Sequence, residues 1–388
     1  VPELRFPGFE GEYSLDIFGN LATNKSDKFN PQNENASIDI ELDCIEQNTG
    51  RLIKIYNSKE FSSQKNKFNP QNVLYGKLRP YLNKYYFTKK SGVCSSEIWV
   101  LKSTKEDKLL NLFLYYFIQT KRYSDVASKS AGSKMPRADW GLIENIRVYF
   151  PELCEQQKIG EFFSKLDRQI VLEEQKLELL QQQKKGYMQK IFSQELRFKD
   201  ENGNDYPEWV VKLIGDIGKV AMNKRIYKHE TSANEEIPFY KIGNFGKKAD
   251  TFISREQFNE YKEKYPYPKK GDILISASGS IGKTIEYKGE EAYYQDSNIV
   301  WLDHNEEVLN VFLKYFYILV KWNGVEGTTI KRLYNKNILN TKIDLPTISE
   351  QQKIGDFFCY IDNLIEIQEQ KLEFLKRRKQ SLLQKMFV

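Results

Sequence analysis

Histidine is almost missing: His229 and His304 are the only two in 388 residues. That scarcity disfavours histidine-ligated metals and a histidine-based triad, and leaves carboxylate and lysine chemistry open. The four cysteines, Cys44, Cys94, Cys154 and Cys359, are scattered and form no C-x-x-C pair. Such spacing suits neither a thiolate metal site nor a disulfide framework, and it fits a reducing compartment. No apolar run approaches the ~18 residues of a membrane span. The opening VPELRFPGFEGEYS lacks the basic and then apolar pattern of a secretory signal, so the expected location is the cytoplasm. Aromatic residues, by contrast, are plentiful, with 24 Tyr and 24 Phe, enough to build real cores in two or three domains. A formal net charge of +6 mildly favours a polyanionic partner.

The dominant feature is an internal repeat. EQQKIGEFFSKLDRQIVLEEQKLELLQQQKKGYMQKIF (Glu155–Phe192) returns 195 residues later as EQQKIGDFFCYIDNLIEIQEQKLEFLKRRKQSLLQKMF (Glu350–Phe387), with 20 of 38 positions identical. Fainter similarity lies upstream. SSEIWVL (Ser95–Leu101) resembles DSNIVWL (Asp296–Leu302), NVLYGKLRPY sits where DILISASGSI sits, and ELRF occurs at Glu3 and again at Glu195.

Both strongly similar segments have the pattern of long helices. Pro151 and Pro346 precede them, as prolines do before helix starts. Ile159, Phe163, Leu166, Ile170, Leu177, Leu180, Tyr187 and Ile191 recur at alternating spacings of four and three. Ile354, Phe358, Ile361, Ile365, Leu372, Leu375, Leu382 and Met386 repeat the ladder. Glu173, Lys184, Gln368 and Lys379 are its polar members. Sustained 3.5-residue spacing predicts a coiled-coil seam. Each helix is on the order of 50 Å long at ~1.5 Å per residue. Packing of each helix on its own domain is the alternative; packing of the two helices on each other, antiparallel, is the preferred reading. The expected plan is an α+β chain: a mixed α/β domain over 1–151, a helix over 152–194, a second mixed domain over 195–347 and a second helix over 348–388. The two helices separate and join the domains as an antiparallel coiled coil with pseudo-two-fold symmetry.

In the variable domains, strands are predicted at 73–75, 85–88, 98–101 and 146–150, and at 239–242, 273–276, 299–302 and 343–345. Helices are predicted over 108–118 and 308–320, where LLNLFLYYFI and VLNVFLKYFYILV space their aromatics as core residues. The loops are basic and polar. Such runs suit a solvated surface, yet they recur at matched places in both copies. Lysine and arginine can neutralise phosphates, and Asn, Gln, Ser, Thr and Arg can reach base edges.

Three motifs point elsewhere. ASGSIGKT (Ala277–Thr284) looks like a phosphate-cradling loop, but IEYKGEEAYYQ after it is β-branched, aromatic and broken by Gly289. A nucleotide loop needs a helix there. Asp272 with Glu286 and Lys288 resembles the Asp…Glu-x-Lys set of metal-dependent nucleases. KFNPQN, at 28–33 and 67–72, falls short of the Asn-Pro-Pro-aromatic motif of adenine methyltransferases.

Two variable domains alternating with two similar heptad helices resemble the specificity subunit of type I restriction–modification systems. The match is carried by EQQKIGEFF and EQQKIGDFF after YFPELC and DLPTIS, by the opening ELRFPGF and by GDILIS…GSIGK. The first domain departs from the pattern, having NVLYGKLRPY in place of the small-residue loop. The resemblance implies a non-catalytic chain whose two target-recognition domains bind the halves of a bipartite, asymmetric site on double-stranded DNA. It implies helices that set the spacing and dock two modification subunits, with restriction subunits joining them. S-adenosylmethionine, ATP and Mg²⁺ are then expected only on those partners. The candidate DNA-contact residues are Lys65, Lys67, Lys77, Arg79, Lys134, Arg137, Lys224, Arg225, Ser278, Ser280, Lys283, Lys331 and Arg332. The rival readings are a nuclease using Asp272, Glu286 and Lys288, and a coiled-coil adaptor that binds no nucleic acid.

Overall fold

The computed structural model describes residues 2–60, 62–129, 135–322 and 332–387, the Lys59 side chain excepted. The chain divides into two compact units: residues 1–175 with 369–388, and residues 176–368. The division falls inside both long helices, Leu153–Phe192 and Ile348–Met386. Each unit therefore holds one mixed domain, the first half of the helix that follows it, and the last half of the other helix.

Within the first unit, Ser14–Ile17 pairs antiparallel with Arg147–Phe150 at the entrance to the long helix. A four-stranded sheet orders Ala22–Thr23, Ile98–Ser103, Val73–Gly76 and Tyr85–Phe87. A second orders Lys28–Phe29, Lys65–Phe68, Gly92–Cys94 and Asp39–Ile40. The second unit repeats the plan. Val210–Leu213 pairs with Lys342–Leu345, and Gly218–Ala221, Ile299–His304, Ile273–Ser276 and Thr284–Glu286 form the equivalent sheet. Its other sheet has three strands, Phe252–Ile253, Ile237–Tyr240 and Tyr293–Tyr294. The predicted aromatic helices are present as Asn111–Phe117 and Asn310–Leu319, with Phe113, Tyr116, Phe117, Phe312 and Tyr315 at most 2% exposed.

The repeated E-Q-Q-x-I-G block is explained by what it touches. Glu155, fully buried, takes a bidentate grip from Arg5 at 2.7 and 2.8 Å; Glu350 takes the same grip from Arg197 at 2.7 and 3.1 Å. ELRF and EQQ are thus two halves of one contact, written twice. Gln156 accepts from Leu110 N and donates to the carbonyls of Lys108 and Pro151. Gln351 does the same with Leu309, Glu307 and Pro346. These bonds satisfy backbone groups just before the aromatic helix and just before the long helix that burial would otherwise orphan. Gly160 is needed because a Cβ there would lie 2.7 Å from Leu112, and one at Gly355 would lie 2.5 Å from Val311.

In each unit the two helix halves run antiparallel, and the domain packs on both. In the first unit Asp167 pairs with Lys379 at 2.7 Å, and Glu173 with Lys371 at 2.5 Å. Phe163 meets Phe387 with ring centroids 6.1 Å apart. The second unit pairs Asp362 with Lys184 at 2.5 Å and Phe358 with Phe192 at 6.4 Å. Tyr116 donates to Asp167 at 3.0 Å, and Tyr315 to Asp362 at 2.8 Å, so domain, head helix and tail helix meet at one polar knot per unit. Burial raises the pKa of both phenols and keeps them donors. Ile159, Phe163, Leu166, Ile170, Ile354, Phe358, Ile361, Leu372 and Leu375 are buried, and Leu177, Leu180 and Ile365 are half-buried. At the helix ends Met188 and Leu383 are buried, while Tyr187 is 40% exposed and Leu382 only half-buried.

Candidate nucleic-acid interface

In the first domain, the loop leaving the strand Val73–Gly76 meets two other segments. Lys77 N donates to the Glu97 carbonyl at 3.0 Å, Arg79 N to the Pro136 carbonyl at 2.7 Å, and Ala138 N to the Lys77 carbonyl at 2.8 Å. Lys77, Arg79 and Arg137 are thereby brought together, Arg79 and Arg137 exposed and Lys77 half-buried. Arg137 grips Glu97 through Nε at 2.9 Å and Nη2 at 3.1 Å. The pKa of Glu97 is lowered, chiefly by that hydrogen bond.

The second domain builds the same meeting point. Ala277 N donates to the Asn298 carbonyl at 2.7 Å, and Leu333 N to the Ala277 carbonyl at 2.8 Å. Arg332 Nη2 reaches the Ser297 carbonyl at 3.2 Å, and Arg225 Nε reaches Asp296 at 2.8 Å. Ser280 and Arg225 are exposed, and Arg332 is half-buried over the Tyr334 ring. Exposed Lys224 lies over the Tyr265 ring at 5.0 Å. Asn223 beside it is 2% exposed.

The two loops share a backbone despite unlike sequences. Arg79 has φ 53°, and Gly279, its counterpart, has φ 64°. The left-handed conformation that glycine takes freely costs arginine roughly 1 kcal/mol. The missing small-residue loop of the first domain is therefore a change of side chain on a kept turn.

Some candidate contacts are corrected by their surroundings. Lys65 is 1% exposed; its ammonium lies between Asp39, at 3.1 Å, and Glu41. A lysine so enclosed cannot reach a duplex, and leaving its carboxylates unpaired would be costly. Ser278 is 6% exposed and donates to Asn298 at 2.8 Å, so it holds the loop and does not face out. Lys283 is exposed overall, but its ammonium donates to the Phe245 carbonyl at 2.6 Å. Lys67, half-buried, lies on the other sheet, where it pairs with Glu34 at 2.6 Å. Lys134 and Lys331 lie outside the described residues.

The enzymatic motifs resolve as turns. After Lys283 comes the strand Thr284–Glu286, which pairs antiparallel with Ile273–Ser276, so the phosphate-loop likeness belongs to a β-hairpin. Asp272 accepts from Lys269 N at 2.7 Å and from Asn310 at 3.2 Å, while Glu286 pairs with Lys314 at 3.0 Å. Each carboxylate of the proposed nuclease set is committed elsewhere. Among the described residues, no group of three or more His, Cys, Asp or Glu converges as a metal site, and no helix is long and apolar enough to cross a membrane.

Each loop cluster lies inside one of two matches to a single family model. The model for the type I restriction modification DNA specificity domain matches residues 12–182 and 206–377. The chain belongs to the type I specificity family. A protein of Haemophilus influenzae named as a type I restriction enzyme specificity subunit, S.HindORF215P, is 42% identical over 261 residues, 64% of this chain and 63% of the relative. The chain thus spans under two thirds of that relative's length. The MjaVIII specificity subunit of Methanocaldococcus jannaschii is 27% identical over 321 residues, 76% of this chain and 74% of the relative. The crystal structure of the type I restriction–modification S subunit from M. genitalium shares the fold, with a TM-score of 0.59 at 17% identity over 100% of this chain and 99% of that one.

Sequence reasoning missed Glu97, Asp296 and Asn298, the residues that organise both loop clusters. The aligned SSEIWVL and DSNIVWL stretches were the available signal, because the residues just before a shared strand must meet whatever loop closes over it.

Proposed function

We propose that this chain is the DNA-reading subunit of a type I restriction–modification complex. Its two domains bind the two halves of a bipartite, asymmetric duplex site. The single observation that carries this reading is the duplicated specificity domain, each copy having its own exposed arginine-bearing loop cluster on a common backbone plan. The long helices set the distance between half-sites and dock two modification subunits, which carry S-adenosylmethionine. Restriction subunits bring ATP and Mg²⁺, and this chain performs no chemistry itself. A length of ~50 Å per helix accommodates half-sites one duplex turn, about 34 Å, apart. The complex works in the cytoplasm, where it meets incoming DNA.

The test exchanges the first domain, residues 1–151, for that of another family member and maps methylated sites in cells carrying the complex. One half of the motif is expected to change while the other half and the spacing persist. A motif that changes throughout, or not at all, contradicts the assignment of one half-site to each domain.

A further inference from the structure

Exposed arginine–carboxylate pairs add little to stability, typically 0–1 kcal/mol. Yet each domain holds one at its loop cluster with a rooted acid and an outward arginine. The Glu97 side chain is 28% exposed and Arg137 50%; Asp296 is 14% exposed and Arg225 57%. The Glu97 backbone is fixed by the bond from Lys77 N, and Asp296 leads into Ser297, whose φ of 54° is unusual for a residue other than glycine. In both pairs the carboxylate takes the Nε side of the guanidinium. Nη1 of Arg137 and both terminal nitrogens of Arg225 have no partner among the described residues.

The two copies reach this arrangement differently. Glu97 stands at the third residue of its SSE turn and Asp296 at the first of DSN. The arginines come from unrelated segments, one after Pro136 and one after Lys224. A requirement of the shared fold would have kept the same positions. What the copies share is the outcome: a guanidinium held at Nε by a carboxylate, in two bonds for Arg137 and one for Arg225, with its free terminal hydrogens on an exposed side chain.

That state suits base reading more than phosphate binding. A paired arginine has lost much of the charge that attracts phosphate, but it keeps a fork of fixed geometry. The terminal fork matches the O6 and N7 acceptors of guanine in the major groove. We infer that Glu97 and Asp296 are positioning residues that hold Arg137 and Arg225 for reading one guanine in each half-site. The inference rests on the DNA-reading function proposed above.

The experiment maps methylated sites in cells carrying the whole complex with Glu97→Ala, Arg137→Lys or both, and with Asp296→Ala or Arg225→Lys. A bidentate contact discriminates guanine from other bases by about 5- to 150-fold. Glu97→Ala is expected to reduce that preference to within about threefold at one base pair of one half-site, leaving the other half and the spacing intact. Arg137→Lys keeps the charge, loses the fork and gives the same loss, and the double variant loses no more. The Asp296 and Arg225 variants do this in the other half-site. Arg137 is exposed, so its lysine variant tests the guanine reading even if Glu97→Ala unfolds the domain, and Asp296→Ala then tests the positioning. Unchanged preference at both half-sites in Arg137→Lys and Arg225→Lys, or half-sites that contain no guanine, overturns the inference and leaves the DNA-reading function standing. Absence of any methylated motif with the unaltered chain overturns that function instead.

Discussion

The polar knot in the first unit makes a quantitative prediction. The Lys379 side chain is 7% exposed, pairs with Asp167 at 2.7 Å, donates to Gln119 at 2.9 Å and lies over the Tyr116 ring. Asp167→Ala removes its counter-ion and leaves the ammonium buried. Breaking a buried pair from one side costs about 3–5 kcal/mol. Asp167 is itself 25% exposed, which places the expected loss near the lower bound, about 3 kcal/mol. In the second unit Lys184 is 20% and Asp362 32% exposed, so water reaches the pair and Asp362→Ala should cost only about 1–2 kcal/mol. Lys379→Met in the Asp167→Ala background removes the stranded charge and should recover most of the loss. The assay is urea unfolding followed separately by Trp99 and Trp140 in the first unit and by Trp209 and Trp301 in the second. With a slope of roughly 2–3 kcal/mol per molar, Asp167→Ala should lower the first unit's midpoint by about 1–1.5 M. Equal shifts for Asp167→Ala and Asp362→Ala, or no recovery with Lys379→Met, would refute the reasoning.

Gly160→Ala and Gly355→Ala should each cost about 1–3 kcal/mol by overpacking against Leu112 and Val311, measured as lower unfolding midpoints. Inserting four residues at the middle of both long helices lengthens each by ~6 Å; mapped half-sites should move apart by one or two base pairs with their sequences unchanged. Glu97 has its pKa held below the ordinary 4.5 by Arg137, so it binds its proton less readily in the fold than unfolded. Its contribution is therefore complete above about pH 4.5 and is lost only as pH falls through the lowered value; half-site preference measured by duplex binding should be flat from pH 8 to 5. The purified chain, freed of partners, should show no methylation, nuclease or ATPase turnover.

The long helices were legible because a heptad ladder repeats nearly unchanged, and the structure shows where that legibility ends. A straight helix drifts about 20° per heptad against a 3.5-residue repeat. Four heptads beyond Ile159 the drift approaches a full residue step, so Met188 faces inward where the ladder names Tyr187. Leu383 replaces Leu382 by the same drift from Ile354. Coiled-coil supercoiling would have removed it, but at these ends the helices also pack on the globular domains.

Charge roles were much less legible. Lys65 and Arg137 look alike in a basic string, yet one is enclosed by Asp39 and Glu41 and the other stands outward on Glu97. The partner acids lie 24 to 40 residues away in sequence, and only strand pairing brings them near. The glutamates of the repeated block were equally opaque, since Arg5 and Arg197 lie about 150 residues from them. The ASGSIGKT loop was readable in the negative sense: the missing helix after Lys283 excluded a nucleotide site, and the hairpin is what stands there instead.

The central claim is that one chain reads two separate DNA half-sites with two equivalent domains. Genome-wide mapping of methylated bases, in cells that carry this chain with its modification subunits and in cells where the chain is deleted, tests it most directly. The account predicts a single motif of two unlike half-sites separated by a fixed stretch of unspecified bases, present only with the chain. A contiguous or symmetric motif, or methylation that persists after deletion, would contradict it.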